Sequence, residues 1–209
     1  MMVPPDPWNP ADLFATFTMW ALMMVAMMLP SAAPMILLHA RIHRGSPAQR
    51  TLDNTLFALS YLAVWAGFSV LAAFAQAALV TADLVSATRL STSQPQLAAG
   101  LLLLASVWQL MPSKAACLER CQSPVGFILR YWRPGPAGAI RLGIVHGLYC
   151  LGCCWSLMLL LFVGGVMNLA WVALIAMAVF AEKVAPPAWR ISRWLAAVLA
   201  LGAAYVLIA

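Results

Sequence analysis

Six apolar runs, at about 14–38, 56–81, 96–111, 139–163, 166–184 and 191–209, constrain this chain more than any other feature. A helix needs roughly 17–25 apolar residues to cross the hydrocarbon of a bilayer. Lipid offers no partner to a bare backbone group, so a span must satisfy its own hydrogen bonds as a helix does. The expected fold is therefore all-α: a polytopic integral membrane helix bundle of six transmembrane helices. The spans fill residues 1–209 as a single transmembrane domain. Composition agrees, since 64% of residues are hydrophobic and 9% charged. An ordinary soluble domain runs near ~45–50% apolar and ~25% charged, so a soluble fold and a disordered chain are both excluded.

The formal charge is +6, yet nucleic acid is not the implied partner, because the basic residues sit in short loops between apolar runs. Arg41, Arg44 and Arg50 follow span one. Lys114, Arg120, Arg130, Arg133 and Arg141 separate spans three and four. Lys183, Arg190 and Arg193 separate five and six, and Arg89 alone lies on the opposite side. The positive-inside rule puts the rich side in the cytoplasm, so both termini are expected to be non-cytoplasmic. The N-terminal flank carries Asp6 and Asp12 but no Lys or Arg, and the first run is too long for a signal-peptide core, so span one is expected to be retained. The segment 112–138 reads as a cytoplasmic interfacial loop. Its stretch 125–133 mixes apolar and aromatic residues with Arg130 and Arg133, which suits a short helix in the membrane interface, ended by Pro134 and Pro136.

The chemistry concentrates in span four, which contains His146, Cys150, Cys153 and Cys154. At ~100° per residue these four fall in a sector ~100° wide, with Met158 just past its edge. Imidazole and thiolate suit zinc, copper and iron, and added thioether favours Cu(I). One helix cannot wrap an ion, so other spans must contribute. The competing reading is a helix interface, because Gly143, Gly147 and Gly152 line the same region and small residues let helices approach. Span one carries Met19, Met23 and Met27 on one stripe and Met24 and Met28 on another. Thioethers are uncharged soft ligands, although methionine equally fills gaps between helices. Pro30 and Pro34 remove backbone donors inside this span and are expected to kink it.

On the basic side, His39 and His43 are spaced i, i+4, as are Cys117 and Cys121, so each pair shares a face if its segment is helical. Two His and two Cys would make a tetrahedral site, while the histidines alone are equally read as interfacial. The three-residue spacing of Cys150 and Cys153 is also that of thiol–disulfide carriers. Glu182 and Lys183 close span five, where the acid is read equally as a functional group inside the membrane or as snorkelling with its neighbour, and Asn168 either caps that span or bonds across helices. The odd count of five cysteines argues against a complete internal disulfide framework.

Three blocks of sequence carry a resemblance. The first runs from Met19-Trp20 through Met27-Met28 to Pro30 and Pro34. The second comprises Gln109 to Pro112, Lys114, Cys117-Leu118, Cys121 and Pro124. The third comprises Gly147, Cys150, Gly152-Cys153-Cys154-Trp155, Leu157-Met158, Gly165, Met167-Asn168, Trp171 and Glu182-Lys183. In these the chain resembles a bacterial family of predicted metal-binding integral membrane proteins, a domain of unknown function. Ser113 and Gln122 depart from the family's usual Leu and Arg. The resemblance implies a multi-pass metal protein of the bacterial inner (cytoplasmic) membrane and points to Cys117, Cys121, Cys150, Cys153 and Cys154.

The leading expectation is membrane-embedded binding or handling of a soft metal ion, by transfer, insertion or transport. Copper as Cu(I) is favoured over zinc. The candidate ligands are Cys150, Cys153, Cys154, His146, Cys117, Cys121, Met23, Met27 and Met28. The expected partners are membrane lipid and either a membrane protein complex or a metal donor or acceptor protein. Two alternatives stand beside it: a thiol–disulfide carrier using Cys150 and Cys153, and an accessory or assembly subunit of a larger membrane complex. A hydrolase is not supported, since no span core holds an Asp and no Ser–His or paired-carboxylate arrangement is present.

Overall fold

A computed structural model describes residues 8–42, 45–86, 91–92, 94–186 and 189–208. His43, Arg44, Arg89 and the N-terminal Asp6 lie outside the described residues. Within them the chain is all helical, with no strand beyond an isolated bridge between Val85 and Thr92. The helices are α1 (Pro10–Ile42), α2 (Pro47–Thr81), α3 (Pro95–Leu110), α4 (Pro112–Gln122), α5 (Pro124–Tyr131), α6 (Pro136–Leu159), α7 (Leu161–Gly164), α8 (Leu169–Val184) and α9 (Ile191–Ile208).

Proline sets most of these boundaries. Each helix from α1 to α6 begins on a proline. Its fixed φ suits the first helical position, where the missing N–H would have no partner anyway. The residue before a proline is pushed out of the α region, which stops the preceding helix. Met111, at φ −71° and ψ 138°, shows this between α3 and α4, and the two helices meet there at a bend of 67°. Ser46 adds a capping box with Gln49 at the start of α2.

Four helices (α1, α2, α6 continued through α7, and α9) are long and apolar enough to cross a membrane, or five if the bent pair α3–α4 counts as one span. Helices α3 and α8 have 16 residues each. At ~1.5 Å per residue that is ~24 Å, against ~30 Å of hydrocarbon.

The segment expected as an interfacial loop with one short helix folds into two helices, α4 and α5. Helix α5 matches the anticipated short helix closely and buries Phe127 and Ile128. Helix α4 keeps Pro112, Ser113, Ala115, Ala116 and Glu119 exposed on one side. It packs against α6 and α8 and buries Lys114. The reason is a buried ion pair: Lys114 Nζ donates to both carboxylate oxygens of Glu182 at 2.6 and 2.8 Å. Ser192 Oγ, on α9, donates to the same carboxylate at 2.6 Å, and Gln122 Nε2 donates to the Glu182 carbonyl at 2.6 Å. Glu182 and Lys183 therefore do not snorkel together. Adjacent positions on a helix point ~100° apart, and Lys183 turns to the opposite side of α8, towards α1 and α6.

The principal core lies between α1, α2 and α6. Helix α2 lines it with a four-residue repeat: Phe57, Tyr61, Trp65 and Ser69 are all buried, and Gln76 lies further along the same face. Glycine allows α6 to come close. A Cβ on Gly147 would stand 2.9 Å from Val64, and one on Gly152 would stand 2.9 Å from Cys117 Sγ. The core is closed at the α7 end. There the Trp20 and Phe162 rings lie 5.1 Å apart, the Thr92 N–H donates to the Phe162 carbonyl at 2.8 Å, and Val85 is buried. Trp20 Nε1 finds Gln76 Oε1 at 2.8 Å, which satisfies two polar groups in an otherwise apolar layer. Asn168 caps α8 as anticipated, its side chain accepting from the Trp171 N–H.

Candidate metal centre

Seven sulfurs on α6 and α1 fall inside one core. Cys150, Cys153, Cys154, Met24 and Met28 are all buried, and Met27 and Met158 belong to the same cluster. Helix α1 runs unbroken through Pro30 and Pro34. Its buried face is Trp20, Met24, Met27 and Met28, so Met24 replaces Met23, which is only partly buried and packs against the cluster. The two methionine stripes read from sequence thus resolve into one face that takes Met27 from the first and Met24 and Met28 from the second.

Cys150 sits at the meeting point of four helices. Lys183 Nζ, from α8, donates to Cys150 Sγ at 2.8 Å and to Ser31 Oγ of α1 at 2.9 Å. The Tyr61 hydroxyl, from α2, lies 3.0 Å from the same sulfur and donates to the Met28 carbonyl at 3.2 Å. Ser31 Oγ donates to the Met28 carbonyl as well, at 2.8 Å. A buried ammonium without a counter-charge is costly. Here its nearest heteroatoms are a hydroxyl and a thiol, and the thiol is the partner able to supply negative charge. Cys153 and Cys154 point back along α6, donating to the Cys150 carbonyl at 3.1 and 2.8 Å. All five cysteines are free thiols.

The remaining expected ligands divide. Cys121, on α4, is half-buried and packs against the core cluster that holds Cys150, Cys153 and Cys154. Cys117 lies against Gly152 at the α4–α6 contact. His146 is buried one turn before Cys150, ringed by Phe57, Tyr61 and Phe127, and its Nδ1 has no hydrogen-bond partner. His39 is not drawn into this centre. It stacks on Phe57 at 5.2 Å, meets Trp132, and its Nδ1 lies 3.3 Å from Asn54 Oδ1. A combined His39, Cys117 and Cys121 site is therefore not formed. Among the described residues no three His, Cys, Asp or Glu side chains converge as a ready coordination sphere.

Sequence reading missed Tyr61, Ser31 and Lys183 as neighbours of the sulfur. The four-residue spacing of Phe57, Tyr61 and Trp65 was a legible signal for a buried α2 face. Nothing in the sequence announced that Lys183 would turn inward.

This is an all-helical protein that gathers soft donors and one ammonium in a closed apolar core, the arrangement of a handler of thiophilic ions. The chain matches the family model PpoB2, described as copper chaperone, over residues 17–206, and it belongs to that family. Membership supports copper handling. No curated protein and no solved structure matches it.

Proposed function

We propose that the protein is a carrier of Cu(I) embedded in the bacterial inner membrane, crossing it six times with both termini non-cytoplasmic. It holds the ion in the core between α1, α2, α6 and α8 for delivery to an acceptor protein. Cys150 is the anchor, Cys153 and Cys154 are the exchangeable thiols, and Met24, Met27 and Met28 supply thioethers. The observation that carries this reading is the fully buried Cys150 sulfur with an ammonium at 2.8 Å.

The physical logic is one of charge. A thiolate in an apolar core needs a cation beside it. Lys183 supplies that cation before loading, and the cargo supplies it afterwards. Soft sulfur selects Cu(I) over harder ions. Zinc sites ordinarily close with four tetrahedral ligands, whereas a core offering sulfur in twos and threes suits an ion of lower coordination. Recruiting Cys153 or Cys154 requires only that the thiol leave the Cys150 carbonyl, which a side-chain rotation accomplishes. A site of this kind releases its ion readily, as a chaperone must.

The test is the copper content of purified protein after Cu(I) loading, measured by mass spectrometry. Wild type should retain copper, and Cys150→Ser/Cys153→Ser should lose it. Equal retention in both removes this assignment.

A further inference from the structure

A cavity of about 190 Å³ opens between α1, α4, α6 and α8, on the side of the core away from α7. Ser31, Met35, Cys121, His146 and Lys183 are among its lining residues, whereas Cys150 and Cys153 are not. We propose that this cavity is an entry station for the cargo, in which Cys121 and His146 capture Cu(I) and Cys121 passes it to Cys153. The proposal rests on the copper reading above and adds a route to it.

Two independent observations place the station. The first is His146. It is 97% buried, lines the cavity, and its Nδ1 has no partner. Buried side-chain nitrogens are ordinarily bonded, and an imidazole with a free nitrogen beside a cavity is available as a metal ligand. The second is Cys121. It lines the same cavity and also packs against the buried cluster that contains Cys153. Cys121 is thus on the path from the cavity to the sulfur cluster. Lys183 closes that path, since it faces the cavity and donates to Cys150.

The transfer balances without an outside reagent. The Cys153 sulfur adds to copper held by Cys121, a bond to copper forms there, and the bond to the Cys121 sulfur breaks. The proton leaves the Cys153 thiol and arrives on Cys121. Copper remains Cu(I) throughout, and no electron changes hands. A second exchange carries the ion from Cys153 to the Cys150 thiolate: a bond from copper to the Cys150 sulfur forms, the bond to the Cys153 sulfur breaks, and that sulfur takes its proton from the Lys183 ammonium, whose counter-charge role the ion now fills.

The experiment follows the rate and the extent of loading separately, using detergent-purified full-length protein and Cu(I) supplied as its glutathione complex. Cys121→Ser should load at least tenfold more slowly than wild type and reach the same final copper content. His146→Gln should slow loading several-fold. Loading of Cys121→Ser at the wild-type rate overturns the station. So does loss of copper as complete as in Cys150→Ser, because Cys121 would then be a permanent ligand. Should Cys121→Ser not fold, Cys117→Ser protein, in which Cys121 is the one cysteine that is not fully buried, is treated with one equivalent of maleimide as the second measurement, and undiminished loading after that block overturns the proposal equally. Failure of the copper reading itself has a different signature: Cys150→Ser/Cys153→Ser retains wild-type copper whatever the state of Cys121.

Discussion

Replacing Lys114 by Met should be among the most damaging single changes outside the sulfur core. Lys114 and Glu182 are both almost wholly buried, and the ammonium spans both carboxylate oxygens at 2.6 and 2.8 Å. After the substitution Glu182 keeps only the Ser192 hydroxyl on its carboxylate. Removing one member of a buried pair leaves an uncompensated charge, at a cost of about 3–5 kcal/mol. At about 1.4 kcal/mol per tenfold this is a loss of roughly 10²–10³·⁵ in the folded-to-unfolded ratio. The double variant Lys114→Met/Glu182→Leu should recover to within about 1 kcal/mol of wild type, because an apolar pair of similar volume replaces a buried ion pair at little cost. The assay is reversible unfolding in mixed micelles with rising SDS, followed by tryptophan fluorescence. A single variant that costs less than about 1 kcal/mol, or a double variant as unstable as the sum of both singles, refutes the reasoning, since contacting residues are expected to couple.

Tyr61→Phe removes the hydroxyl near Cys150 and Met28. It should cost about 1 kcal/mol in stability and lower copper retention, which dialysis against a Cu(I) chelator measures. Gly152→Leu drives a side chain into Cys117 and should destabilise the α4–α6 contact by about 1–3 kcal/mol, seen as a lower melting temperature in detergent. Alkaline phosphatase fused after Ile208 should be active, and the same enzyme fused after Arg50 inactive. The reverse pattern would contradict non-cytoplasmic termini.

The helical class was legible because hydropathy acts locally. Helix starts were less so: α2 begins at Pro47, ahead of the apolar run at 56, and Pro112 opens α4 inside the stretch expected as a loop. The cysteine sector on α6 was legible too, because angular spacing on one helix is fixed at ~100° per residue. What sequence could not give was the partner of each polar residue. Lys114 and Glu182 are 68 positions apart, and Lys183 and Ser31 are 152 apart. Long-range pairings of this kind depend on how helices pack, not on any local pattern. The same limit explains the loop expected over 112–138: its charges suggested a wetted surface, yet Lys114 is buried because its counter-ion waits on α8. It also explains Met24, whose burial depends on how α1 is rotated against α2 and α6, a choice that two adjacent methionine stripes leave open.

The aromatic seal formed by Trp20 and Phe162, with Val85 and Thr92 folded over it, stoppers the core at the α7 end. A giver and a receiver of the ion that both dock at the opposite end would take turns at one doorway, and the direction of traffic would be set by which of them is docked, not by any slope built into the bundle.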